Sequence, residues 1–269
     1  MWRETLQVLM APDHLEYRVL PPLGLSPSGI GSVDCRTAAA TETPWQPACE
    51  ALTALVDDTI RRPLRIEIQL SDRFVRYQVL AWQPGLATRA EWRAYAEHGF
   101  AAIYGEAVRQ WQLRIELVPP GNPSLACAID GTLVSALRTL AADRGSRLVG
   151  LRPRFVSLFS RRNIQPRGHD QVWFGVAEER HLCLGAQLDK QWRALRNEPA
   201  PDGWHAALPG AIRRIRCELD APAGNGILYL CGGLGTASVP ASLEGLTVRA
   251  AETSFLRGRA AAVPVLETE

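Results

Sequence analysis

Three stretches hold residues whose types and order could do chemistry. Gly232-Gly233-Leu234-Gly235-Thr236 follows an apolar strand signal at Ile227–Cys231, and glycines after a strand let backbone N–H groups approach a phosphate or an adenosine. No lysine follows, so it is not a Walker loop, and the third glycine of a dinucleotide fingerprint is missing. A plain strand-to-helix turn is the competing reading. His169-Asp170 sets an imidazole beside a carboxylate, an acid–base pairing, in a polar stretch with Pro166 and Gly168 that also reads as a solvated loop. Arg213, Arg214 and Arg216, with Arg161, Arg162 and Arg167, could meet an acidic partner or simply line a solvated face.

Other chemistries lack their residues. The histidines at 14, 98, 169, 181 and 205 have no ligand spacing, and the cysteines at 35, 49, 127, 183, 217 and 231 contain no C-x-x-C pair. No G-x-S-x-G elbow is present. No catalytic residue and no metal ligand is therefore assigned. Cys127, Cys183 and Cys231 sit in apolar runs and read as small buried hydrophobes.

Thirty basic against 28 acidic residues, a net charge of +2, lack the basic excess of a nucleic-acid binder. The start, Met1-Trp2-Arg3-Glu4-Thr5, has no signal-peptide stretch, and no window reaches the ~18 apolar residues of a membrane helix. The expectation is a cytoplasmic protein without direct membrane insertion, peripheral at the inner membrane only through a partner.

The elements that must position these residues follow from periodicity. Leu6, Val8 and Met10 alternate, Pro12-Asp13-His14 turns the chain, and Leu15, Tyr17 and Val19 alternate again: a hairpin. A short strand is expected near 30–33, a helix over 47–60, strands at 66–70 and 74–82, and a helix opened by the capping box Thr88–Glu91 and ended by Gly105. Strands at 113–117 and 125–129, a helix carrying Leu133, Val134, Leu137 and Leu140, a strand at 148–151 and a short helix at 155–159 follow. After a polar stretch the pattern restarts, with strands at 172–176, 181–184 and 188–195, a helix over 209–219 with Pro209 in its first turn, a strand at 227–231, a short strand at 246–248 and a small terminal helix.

Each half thus opens with strands in series and then alternates helix and strand. That order, met twice, is the pattern of an α/β, actin-like molecule of two ribonuclease-H-like halves, with mixed sheets flanked by helices. The halves are expected at 1–163, with inserted strands and a helix, and at 164–269. The segment Cys127-Ala-Ile-Asp-Gly-Thr-Leu-Val-Ser-Ala-Leu-Arg-Thr-Leu-Ala-Ala-Asp-Arg-Gly-Ser-Arg-Leu-Val-Gly-Leu-Arg-Pro153 resembles the PilM and GspL family of pilus and secretion assembly proteins, as does Leu228-Tyr-Leu-Cys-Gly-Gly233.

The resemblance implies a non-catalytic cytoplasmic scaffold, a pseudo-ATPase of type IV pilus biogenesis or type II secretion. Its implied partner is a PilN-like inner-membrane protein whose cytoplasmic segment it binds, with the assembly ATPase as a further partner. The alternative is a divergent nucleotide switch, ATPase or kinase of the same superfold. Actin-like ATPases place Asp and glycines in the first hairpin turn. Here that turn is Met10-Ala11-Pro12-Asp13-His14, without glycine and with a proline that has no N–H. The second phosphate loop, between Val172 and Leu184, reads Gly175-Val-Ala-Glu178-Glu179-Arg180, two of whose carboxylates would repel a triphosphate. No cofactor is expected; ATP with Mg²⁺ belongs to the alternative, at Gly232 and Gly233 in the adenosine-loop position. Carboxylates for a two-metal nuclease are also wanting: Glu4, Asp13 and Glu16 flank the first strand, and Glu67 and Glu116 are expected to face solvent.

Overall fold

The computed structural model describes residues 4–22, 26–36, 43–59, 62–116, 118–161, 169–221, 226–234, 239–252 and 255. The chain divides into two compact units, one of Met1–Phe74, Gly131–Ser157 and Ser254–Glu269, the other of Val75–Asp130 and Leu158–Thr253. The boundary expected between 163 and 164 and the terminal helix lie outside the described residues, as do Arg162, Arg167, Gly235 and Thr236.

In the first unit, β1 (Thr5–Met10), β2 (His14–Leu20) and β3 (Gly29–Asp34) form an antiparallel series. Helix α1 (Gln46–Thr59) leads into β4 (Arg65–Leu70). In the second unit come β5 (Val75–Leu80), α2 (Arg89–Tyr104), β6 (Trp111–Ile115) and β7 (Ser124–Asp130). The chain returns to the first unit with α3 (Gly131–Asp143) and β8 (Arg147–Pro153), and α4 spans Arg154–Arg161. The first sheet has the order β3-β2-β1-β4-β8, with β4 parallel to β1 and β8 parallel to β4. Leu6, Val8 and Met10 of β1, Ile66, Ile68 and Leu70 of β4, and Leu52, Val56, Leu133 and Leu137 of the helices are buried. The period of two on the strands and near 3.6 on the helices puts these side chains on single faces.

The second unit continues with β9 (Gln171–Glu178), β10 (His181–Leu188), β11 (Gln191–Pro199), α5 (Trp204–Leu219), β12 (Gly226–Gly232), β13 (Ser242–Leu243) and β14 (Leu246–Glu252). Its large sheet has the order β11-β10-β9-β12-β14-β13, with β9, β12 and β14 parallel. Setting aside short β13, this is the order of the first sheet again: third, second, first, fourth, fifth. The core beneath α5 contains Trp173, Leu182, Leu184, Leu208, Ile212, Ile215 and Leu230. A smaller antiparallel sheet, β5-β7-β6, packs Leu80, Leu113, Ala126 and Ala128 against Trp92, Ala96 and Phe100 of α2. The capping box of α2 forms as expected, the Glu91 N–H donating to the Thr88 hydroxyl and the Glu91 carboxylate accepting from the Thr88 N–H.

Three local expectations are corrected. Helix α5 begins at Trp204, so Pro209 lies inside it, and the fixed φ of proline fits the helix at the expense of one hydrogen bond. The strand expected at 188–195 is two: Asp189 and Lys190, both with positive φ, turn β10 into β11. Cys127 is half-buried, whereas Cys183 and Cys231 are buried as expected. Among the described residues no helix is long and apolar enough to cross a membrane.

Candidate functional site

The first strand-end turn joins β1 to β2 in the first unit. The Ala11 N–H donates to the His14 carbonyl, and the Asp13 carbonyl accepts from the Cys35 N–H. The Asp13 carboxylate is engaged at both oxygens: Oδ1 lies 2.9 Å from His14 Nδ1 and Oδ2 2.9 Å from Arg73 Nη1. The hydrogen bond from His14, and then the Arg73 charge, hold this carboxyl well below the usual range against the opposing push of burial. A magnesium ion taking Asp13 as a ligand would have to displace both an imidazole and a guanidinium.

The second turn is shorter than its sequence indicates. Gly175 to Glu178 are not loop but the end of β9, in register with Leu184 to His181 of β10, and only Glu179 and Arg180 connect the strands. Gly175 is a packing glycine: a Cβ there would stand 2.8 Å from Leu230 Cδ1. The same strand end meets the glycine pair. Gly232, the last residue of β12, has φ +122°, and a Cβ on it would lie 2.1 Å from the Ala177 carbonyl oxygen. The Gly233 N–H donates to that same oxygen at 3.2 Å. No described residue stands within 4 Å of the position a Gly233 Cβ would take. Gly232 and Gly233 therefore come together with Ala177, next to Glu178 and the Glu179-Arg180 turn, and the strand ladder accounts for the first glycine and for the N–H of the second.

The remaining candidates resolve as follows. Glu67, expected to face solvent, is half-buried and accepts from Gln7 Nε2 at 2.7 Å, while Gln7 Oε1 accepts from Arg18 Nε at 2.8 Å. Register explains the row, since Gln7 stands opposite Arg18 on β2 and Glu67 on β4. Arg18 is 1% exposed and lies against the Phe255 ring, so a guanidinium occupies the centre of the sheet where a nuclease needs carboxylates and metal. Glu116 is exposed as expected. Among the described residues no three His, Cys, Asp or Glu side chains gather as a metal site. His169-Asp170 sits at the mouth of the β9–β10 hairpin, where the Asp170 carbonyl accepts from the Asp189 N–H.

Arg213 pairs with Glu244 at 2.6 Å, Arg214 pairs with Glu198, and Arg216 donates to the Glu244 carbonyl, so these cations serve their own unit. Sequence reasoning missed Asp72, which lies between the strands expected at 66–70 and 74–82. It is buried, and both its oxygens accept the Phe155 N–H, at 3.1 and 3.0 Å, at the start of α4. The signal was a Ser-Asp pair after a strand; its partner lay 83 residues away.

Exposed apolar side chains include Ile30 on β3, Trp82, and Ile103 with Tyr104 at the end of α2. Ile103 is 63% exposed. Tyr104 packs edge-on against Trp111, with centroids 5.1 Å apart, beneath the Arg76 guanidinium.

No protein family and no curated protein matches the sequence. Solved structures do match its fold. A Bacteroides thetaiotaomicron protein of unknown function with an actin-like ATPase fold is 11% identical, with a TM-score of 0.61 over 87% of this chain and 84% of its own. The cytoplasmic domain of EpsL, an inner-membrane component of the Vibrio cholerae type II secretion system, is 10% identical, with a TM-score of 0.59 over 94% and 91%. A chain of the PilM–PilN type IV pilus biogenesis complex is 13% identical, with a TM-score of 0.63 over 92% and 88%. The fold is actin-like, as the doubled strand order indicates.

Proposed function

We propose that the chain is a non-catalytic cytoplasmic scaffold of a type IV pilus or type II secretion machine. It binds the cytoplasmic segment of a PilN-like inner-membrane partner, with the assembly ATPase as a second partner. A fold by itself does not choose a function. The observation that supports this reading is that three polar groups of the strand-end turns are engaged within the protein: the two Asp13 oxygens by His14 and Arg73, and the Gly233 N–H by Ala177. Joined to the whole-length likeness to the chain of the PilM–PilN complex, this favours binding over hydrolysis. The first unit offers strand addition as a mode of capture: β3 is the outermost strand of its sheet and presents Ile30, 51% exposed.

The test is a binding titration of the purified chain with labelled cytoplasmic segments of the inner-membrane assembly proteins encoded in the same genome. Saturable binding weakened by Ile30→Glu is expected; no binding to any of them overturns the scaffold reading. A second reading, a nucleotide switch, is favoured by the absence of any described residue within 4 Å of a Gly233 Cβ, beside the glycine-ended strand. Mg²⁺-ATP separates the two, because a ligand of the folded state at a hundredfold its Kd adds about 2.7 kcal/mol of stability. A saturable thermal shift lost in Gly233→Trp establishes the switch, and no shift at millimolar nucleotide supports the scaffold.

A further inference from the structure

Where α5 ends, the second unit holds donors that its own fold does not use. Arg216 lies in the last turn of that helix, and its Nη1 donates to the Glu244 carbonyl in the turn between β13 and β14. Its guanidinium carbon lies 5.9 Å from the centre of the Trp173 ring. Nε and Nη2 of Arg216 are buried and meet no acceptor among the described residues, and the same holds for the indole Nε1 of Trp173, a fully buried residue. Buried N–H groups normally find acceptors, and a charged donor costs more than a neutral one when it does not.

The local carboxylates are engaged elsewhere: Glu244 with Arg213 at 2.6 Å, Glu198 with Arg214, and Glu218 with Arg196 at 2.5 Å. The Nε–Nη2 edge of arginine is a two-pronged face that takes two oxygens of a carboxylate or phosphate side by side. Gly245, with φ +75°, borders this edge, and the Cβ of any other residue there would stand 3.9 Å from Nη2. The carbonyl end of a helix disfavours an anion. Here the carbonyls of Arg216 and Cys217 already accept the Ala221 and Asp220 N–H groups, which softens that effect.

We propose that this corner is an oxyanion site, in which Arg216 Nε and Nη2 hold two oxygens of a carboxylate or phosphate group and Trp173 Nε1 supplies a third donor. It lies toward the opposite end of β9 from the Gly232 turn, and it is independent of both readings of that turn.

The test titrates the full chain separately with inorganic phosphate and with acetate, against sodium chloride at matched ionic strength. Two signals are followed: the melting temperature and the Trp173 indole N–H resonance, assigned with Trp173→Phe. A saturable rise of several degrees and a shift of that resonance are expected, both lost in Arg216→Gln. Arg216→Lys, which keeps the charge and loses the two-pronged edge, is expected to bind at least tenfold more weakly. A response to phosphate alone assigns the site to phosphate, and one to acetate alone to carboxylate. A response indistinguishable from chloride, or one unchanged in Arg216→Gln or Arg216→Lys, overturns the proposal. If Arg216→Gln does not fold, the wild-type indole resonance decides: no anion-specific shift overturns it.

Discussion

Asn197 fixes the tautomer of His181. The Asn197 Nδ2 donates to the Val75 carbonyl at 2.9 Å, so its Oδ1 must face His181 Nε2, also at 2.9 Å, and that nitrogen carries the proton. The pair is diagonal across the β10–β11 ladder, where Asn197 stands opposite Cys183 and His181 opposite Pro199. One carboxamide thereby ties the outer strand of the large sheet to the first residue of the small one, within a single unit.

Asn197→Ala removes both bonds at two buried residues, and leaves the Val75 carbonyl accepting from Arg76 Nη1 at 3.2 Å. A loss of about 1–3 kcal/mol is expected, read from the midpoint of urea unfolding. An unchanged midpoint would show that the bridge contributes nothing to folding.

The two glycines at the end of β12 should respond differently. Gly232→Ala forces a Cβ to within 2.1 Å of the Ala177 oxygen at a φ of +122°, so a loss of about 3 kcal/mol or more is expected. Gly233→Ala meets no described residue within 4 Å and should stay within about 0.5 kcal/mol of the parent. Thermal melts of the two variants check this, and the second leaves a folded protein for the nucleotide titration.

Asp13 sets an acid-side dependence. Its carboxyl is depressed in the folded state from an ordinary value of 3.8, so its contribution is complete at neutral pH and fades as pH falls below that value. Unfolding of Asp13→Asn compared with the parent should therefore show a stability gap at pH 7 that narrows below about pH 4. A gap that widens on acidification would contradict the His14 and Arg73 pairing.

Thiol reactivity should follow burial. Burial pushes the Cys49 thiol up to about 12 and the Cys35 thiol up to about 11, whereas Cys217 is exposed. Iodoacetamide at pH 8 should label Cys217 first in the native protein, with Cys35 and Cys49 reacting only after denaturation, as peptide mass mapping would show. Early labelling of Cys49 would place it outside the packed face of α1.

How much of this was legible depends on how far apart the partners lie. Thr88 and Glu91 are three residues apart and could be read as a cap directly; the structure forms it. The alternation of Leu6, Val8 and Met10 named one buried face of β1, because a strand sends every second side chain the same way, but Gln7 and Leu9 on the other face are buried as well. The strand order in series and then alternating with helices carried the actin-like fold, since short connections leave few ways to pair such elements. Gly175 misled because a glycine shortly before two glutamates looks like loop when the Leu230 side chain that needs the space is 55 residues away. Glu67 misled because polar alternation implies solvent unless the neighbouring strands bring Gln7 and Arg18 to it.

What the sequence determined by itself was local: the period of each element, the caps and breaks between them, and the two-fold recurrence of their order. Tertiary structure alone decided which side chains became partners. Sheet register chose the Arg18–Gln7–Glu67 row, helix packing committed Arg213 and Arg214 to carboxylates on β11 and the β13–β14 turn, and the close approach of β12 to β9 turned Gly232 from a candidate ligand contact into a steric necessity. Hydrogen bonds and van der Waals contacts act over a few ångströms, and only the folded chain brings residues tens of positions apart within that reach.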